Sequence, residues 1–265
     1  MKINNEYIEN IHLFVNKLCP SKRKQKYDFY YYIHNIIRIL TDCTRWKSLQ
    51  YNSLNKNNHY KTIYKKFVQW ANLKIFQLAY EKLIHDFILK KNTTSTTLNL
   101  FIDTTTILNK NGSELVTYGQ NKKNKSCKIS DCCDENKVIY GVKFHKGSES
   151  DVNTIDDMVT HITSITKYRK INLIADKGYI SKEKKENLAK EKINLIVPYR
   201  KNMKNKKTNK KMTNTEKNKK KLRKRYVIEH VNQKIKKYVR LKNRQDKLII
   251  TFASFVYLAI GMEFV

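Results

Sequence analysis

The chain is 265 residues long and sets 55 Lys and Arg against 23 Asp and Glu, a formal net charge of +32. A charge of that size goes beyond what solubility needs and points to a polyanionic partner, nucleic acid first and an anionic membrane surface second. Forty per cent hydrophobic residues, with only 6 Gly and 2 Pro, exclude wholesale disorder and a collagenous or proline-rich chain.

The opening MKINNEYIEN lacks the apolar run of a secretory signal, so the chain is expected to stay where it is made. The first ninety or so residues read as helices only. YDFYYYIHNIIRIL carries apolar or aromatic residues on successive turns, and KTIYKKFVQW places Ile63, Phe67 and Trp70 at i, i+4 and i+7. Trp46, between them, reads as a core anchor. Lys61, Lys65 and Lys66 fall off the apolar stripe, which suits either a solvated face or a basic face laid on DNA in helix-turn-helix manner.

The polar stretch NTTSTT near Thr93 marks a change of character. Strands are predicted at LNLFID, CKISDCC and VIYGVKF, the last two joined by the turn-like DENK. A helix at TIDDMVTHITSIT, a strand at INLIA, a helix at KEKKENLAKE and a strand at INLIVPY come next. This order predicts an α/β fold whose mixed sheet is covered by helices. The five cysteines, Cys19, Cys43, Cys127, Cys132 and Cys133, include no CxxC pair, so neither a disulfide framework nor a zinc finger is signalled.

From Arg200 to Arg225 the chain is nearly all Lys, Arg, Asn and Thr, a self-repelling block expected to form a loop or extended arm. On the helix RYVIEHVNQKIKKY, Arg225, Glu229, Gln233 and Lys236 share one face, beside an apolar stripe of Ile228, Val231, Ile235 and Val239. His230 points elsewhere and reads as a bystander. The terminal LIITFASFVYLAIGMEFV is apolar all round; Thr251, Ser254, Gly261 and Glu263 favour a buried core helix over a membrane anchor.

Three acids stand where regular structure holds them still. Asp103 ends or nearly ends the first strand, Asp176 comes just after the INLIA strand, and Glu229 lies on the basic helix. Strand ends are where α/β sheets gather their sites. Carboxylates suit hard divalent cations, and two such ions flanking a phosphodiester are the equipment of phosphoryl transfer.

The segments FIDTT, GQNKKNKSCKISDCCDENKVIYGVKFHKGSESD, LIADKGYIS and RYVIEHVNQKIK resemble successive blocks of bacterial insertion-sequence DDE transposases of the insertion-sequence four and five superfamily. The N-terminal stretch with Trp46 and KTIYKKFVQW is similar to that family's terminal DNA-binding region. The resemblance implies an RNase H-like catalytic domain, a mixed sheet flanked by helices at 93–265 with a basic loop at about 200–224. It also implies a small all-helical, helix-turn-helix-like DNA-binding domain before it, at 1–92. Asp103, Asp176 and Glu229 match the family's three acids, which would bind two Mg2+ or Mn2+ ions. Arg225 and Lys236 would steady phosphates, with Lys177 beside the second acid as a further phosphate contact. The tyrosine that often precedes the family arginine by three residues is Leu222 here. Asp151 resembles a recurrent family aspartate, although a helix cap is its simpler role.

The resemblance further implies cleavage of double-stranded DNA at element ends, then strand transfer by the freed 3′ hydroxyl, carried out by a homodimer or larger assembly on DNA. No membrane association is expected, and the location is cytoplasmic and DNA-associated, or nuclear or in a viral factory in a eukaryotic host. The alternative is a transposase-derived DNA-binding protein that has lost its chemistry.

Overall fold

The computed structural model describes residues 4–20, 27–50, 60–90, 97–119, 124–166, 170–200, 203 and 213–263. The chain forms two compact units, one made of residues 1–90, 107–116 and 234–265 and the other of residues 91–106 and 117–233.

The first unit is mainly helical. It contains α1 (Asn5–Leu18), α2 (Phe29–Thr41), a 3-10 turn (Trp46–Gln50), α3 (Tyr60–Asn72) and α4 (Ile75–Lys90). Asp28 starts α2 by accepting from the Tyr31 amide at 2.8 Å, which satisfies one of the donors a helix start leaves open. Ile63, Phe67 and Trp70 are buried as their spacing predicts. Trp46 is half-buried, its ring 5.1 Å from Tyr64 and 5.2 Å from Phe67, so Trp70 is the deeper anchor.

The terminal helix, α10 (Ile249–Glu263), belongs to this unit, where it packs against α2, α3 and α4. Phe255 stacks on Phe67 at 4.5 Å. The buried Tyr7 hydroxyl lies 3.0 Å from the Phe76 carbonyl oxygen and 3.1 Å from that of Tyr257. Gly261 permits this approach, since a Cβ there would come within 2.4 Å of the Tyr7 ring. A helix apolar all round is stable only where neighbours cover every side, and α2, α3 and α4 supply that cover. No helix among the described residues is long and apolar enough to cross a membrane.

The second unit is built on the sheet. Its elements are β1 (Thr97–Asn109), β2 (Thr117–Tyr118), β3 (Lys125–Cys133), β4 (Ile139–Lys146), α5 (Ile155–Ile165), β5 (Lys170–Ile174), α6 (Lys182–Lys190) and β6 (Ile193–Ile196), then α7 (Glu216–Arg223) and α8 (Tyr226–Lys236), with the last residues of β1 and α8 counted in the first unit. A short α9 (Val239–Lys242) and β7 (Asn243–Arg244) lead into α10. The sheet runs β2-β3-β1-β5-β6, with β4 on β3 and β7 on β1; β3 and β4 are antiparallel, while β1, β5 and β6 are parallel.

Asn99, Asn172 and Asn194 stand side by side on β1, β5 and β6 and hydrogen-bond in series at 2.8 and 3.1 Å. A one-residue slip would turn each amide to the opposite face, so the ladder pins the parallel register. DENK is a tight turn, with Asp134 accepting from the amides of Asn136 and Val138. Cys127, Cys132 and Cys133 are buried and form no disulfide.

The fold departs from two expectations. The first strand does not stop at Asp103: the β-branched run Thr104–Ile107 continues it to Asn109, where it gains β7 as a partner. The basic stretch is not all loop or arm. Thr215 accepts from the Asn218 amide and opens α7, whose lysines have good helix propensity; residues 201, 202 and 204–212 lie outside the described ones, as does most of NTTSTT.

Candidate functional site at the strand ends

The parallel couple of β1 and β5 ends at Phe101 and Ile174. Asp103 and Asp176 each lie two residues further on, so the same step in both chain segments delivers two carboxylates just beyond the end of the β1–β5 pairing. Asp176 also caps the 3-10 turn Lys177–Tyr179 by accepting from the Gly178 amide. A Cβ at Gly178 would fall 2.9 Å from Asp176 Oδ1 and 3.2 Å from Asp151 Oδ2, so a larger residue there would displace these carboxylates. Those two distances place the carboxylates of Asp151 and Asp176 close together.

A network of hydroxyls braces this turn. The Tyr179 side chain is fully buried and its hydroxyl lies 2.6 Å from that of Thr104, the neighbour of Asp103. Thr104 also meets Thr154 at 3.4 Å, and the Thr154 hydroxyl donates to the Asp151 carbonyl at 2.8 Å. Asp151 is not a side-chain cap: its carboxylate pairs at 2.8 Å with Lys128 Nζ, which also donates to the Glu149 carbonyl. The Lys128 side chain is only 7% exposed, so the lysine end of this pair is held away from solvent, whereas the Asp151 side chain is 31% exposed.

Helix α8 closes the site. Arg225, just before it, donates from Nη2 to Glu229 Oε1 at 2.7 Å and approaches Asp103 Oδ1 at 3.8 Å. Asn232 Nδ2 donates to Asp103 Oδ2 at 3.1 Å. Burial is the largest influence on Asp103 and raises its pKa. The Arg225 cation and the Thr104 amide oppose that rise, and the nearby Asp176 and Asp151 add to it. A carboxylate so placed favours a further positive charge.

Asp103 and Asp176 are thus neighbours, and Arg225 bridges Asp103 to Glu229. Among the described residues no three His, Cys, Asp or Glu side chains are grouped as ligands of one ion. Lys177 is exposed next to Asp176. Lys61 and Lys65 are exposed on α3 and Lys66 lies 6.0 Å from the Tyr32 ring; these three and Lys236 belong to the helical unit. His230 is exposed, its ring 5.5 Å from that of Tyr226.

The model of the family described as Transposase DDE domain matches residues 94–260, more than half of the chain. The chain belongs to this DDE transposase family. A piggyBac transposase synaptic complex with hairpin DNA superposes with a TM-score of 0.55 at 13% identity, over 98% of this chain and 71% of that one. This likeness shows a shared RNase H-like fold. A pre-cleavage Mos1 transpososome (8% identity, 66% of this chain and 60% of that one) and a Mos1 mariner paired end complex with Mn (9% identity, 69% and 65%) also match, each with a TM-score of 0.28. No curated protein sequence is significantly similar.

Within the DDE domain, the helix face meeting the acids differs from the expected one. Gln233 is exposed and Asn232 takes the place facing Asp103. Val239 is 52% exposed rather than continuing the apolar stripe, because α8 ends at Lys236 and α9 begins at Val239. Sequence reasoning also missed Lys128, whose tie to Asp151 spans 23 residues and leaves no periodic trace.

Proposed function

We propose that this DDE transposase cuts double-stranded DNA at the ends of its element and joins the freed 3′ ends to target DNA, with Asp103, Asp176 and Glu229 as the metal-holding acids. The observation that supports this best is the equal placement of Asp103 and Asp176 beyond the last β1–β5 couple, with α8 presenting Arg225 and Glu229 beside them. The donors are all oxygens, and the half-buried Asp103 carboxylate favours added positive charge, which fits magnesium or manganese. Two such ions, when bound, supply the charge that activates the attacking oxygen and steadies the leaving one.

The chain's own residues do the rest. Arg225 neutralises Glu229 and Asp103 until a phosphate offers its guanidinium a bidentate partner. Lys177 and Lys236 add phosphate contacts, and the exposed lysines of α3 and α7 supply sequence-independent, salt-sensitive affinity. Two ends must be held at once, so the working form is a dimer or larger assembly on DNA.

Because Arg225 competes with metal for the acids, Arg225→Gln is expected to change two affinities in opposite directions. Binding of Mn2+ alone should tighten by about fivefold, the ~1 kcal/mol of a partly exposed ion pair, while DNA affinity falls. Mn2+ titration and gel-shift measurements at one fixed salt concentration check this; metal affinity that weakens would make Arg225 a structural support of Glu229 instead.

The function is tested by incubating labelled duplex carrying the DNA that flanks the gene with a supercoiled target plasmid and Mg2+. Joined product is the expected result. Nicking without joining would restrict the protein to a nuclease, and binding without any cut would leave a DNA-binding protein on a transposase fold.

A further inference from the structure

Asn232 lies three residues beyond Glu229 and is buried, with 7% of its surface exposed. Its Nδ2 donates to Asp103 Oδ2, and an ionised carboxylate only accepts, so the amide's orientation is set by chemistry. The other end, Oδ1, is buried and has no hydrogen-bond partner among the described residues. A buried acceptor left unmet costs about 1–3 kcal/mol. An apolar side chain of similar volume would avoid that cost, and Ile228, Val231 and Ile235 on the same helix show that apolar residues fill buried places on α8.

The two oxygens of Asp103 are also held unequally. Oδ1 is 3.8 Å from the Arg225 guanidinium, beyond hydrogen-bond reach, whereas Oδ2 is 3.1 Å from Asn232. The Asn232 amide, together with the Thr104 backbone amide that also bonds this carboxylate, therefore sets its rotation, while Arg225 supplies only charge. We propose that Asn232 is a positioning residue of the metal site, its Nδ2 fixing the Asp103 carboxylate and its Oδ1 accepting from the hydration shell of the divalent ion, an inference that rests on the carboxylate reading above. Mg2+ and its congeners keep several waters when bound by few carboxylates, so an acceptor beside the first acid has a natural partner. Asn232 adds no charge, which suits a place already crowded by Asp103, Asp151 and Asp176.

The test uses the full chain and Mn2+ alone, with free Mn2+ monitored by electron paramagnetic resonance and the Mn2+-induced rise in melting temperature measured in parallel. Asn232→Leu removes both polar ends; it is expected to weaken Mn2+ binding by about tenfold, the lower end of what loss of a ligand's hydrogen-bond partner costs. Its metal-free melting temperature should stay near that of wild type, because removing the unmet buried acceptor offsets the lost donor to Asp103. Asn232→Ser keeps a hydroxyl and should fall between the two. Wild-type Mn2+ affinity in Asn232→Leu overturns the proposal, and if that variant does not fold, wild-type affinity in Asn232→Ser overturns it alone. Asp103→Asn in the same titration separates the two readings: if it binds Mn2+ as wild type does, the carboxylate site itself is wrong.

Discussion

Asp103→Asn is expected to lower the rate of DNA cleavage by at least ~10^3-fold, about 4 kcal/mol of lost transition-state stabilisation, while leaving the protein as stable as before. The two effects have one origin. Asp103 is half-buried, and burial together with Asp176 and Asp151 raises its pKa, so its charge at neutral pH is unfavourable in the folded chain without metal. A neutral amide of the same shape relieves that burden and forfeits the Arg225 attraction, and the raised pKa shows which is larger. DNA affinity should hold or rise slightly, since a negative charge near phosphate has gone. Single-turnover cleavage, gel shift and thermal melting, each at fixed salt, check the three parts. Normal cutting by Asp103→Asn would remove this residue from the site, and a collapse in stability would make it a structural acid.

Phe255→Ala is expected to destabilise the helical unit by about 3–5 kcal/mol, the usual cost of emptying a buried aromatic site. Phe255 is fully buried, stacks on Phe67, lies 6.2 Å from the Trp46 ring and has the Arg240 guanidinium 4.7 Å from its centroid. Its loss leaves a cavity among α3, α10 and the 3-10 turn, and also removes the face over which Arg240 lies. Both tryptophans of the chain, Trp46 and Trp70, belong to this unit, so tryptophan fluorescence reports on it alone. Urea titration of the full chain should therefore show the fluorescence transition at much lower urea in the variant. An unchanged midpoint would mean that the terminal helix does not support the N-terminal helices.

Much of the fold could be read from residue patterns because the decisive signals are local. LNLFID and INLIA are short apolar runs, each ending at or just before an acid, and a parallel pair naturally brings such acids to one end of a sheet. Less was legible where geometry is set over distance or by a small change in winding. Around Arg225 the backbone bonds run from Val227 to Lys224 and from Ile228 to Arg225, the tighter three-residue spacing. Residues three and four beyond Glu229 both lie on its side of α8, so spacing alone does not choose between Asn232 and Gln233, and it is Asn232 that meets Asp103. The α7 segment was hidden by its own charge, since a lysine run repels itself yet each lysine accepts helical backbone readily. Nothing in the apolar pattern of α10 names its neighbours, because a helix apolar on every side fits any core of the right size.

Whether Asp103, Asp176 and Glu229 hold the divalent ion is read out by loading the protein with Fe2+ and generating hydroxyl radicals with ascorbate and peroxide. Radicals formed at a bound ion cut the polypeptide beside its ligands. Cuts clustered near residues 103, 176 and 229, suppressed by excess Mg2+ and lost in Asp176→Ala, are the predicted result. Cuts elsewhere, or cuts at these places that Mg2+ does not suppress, would contradict it.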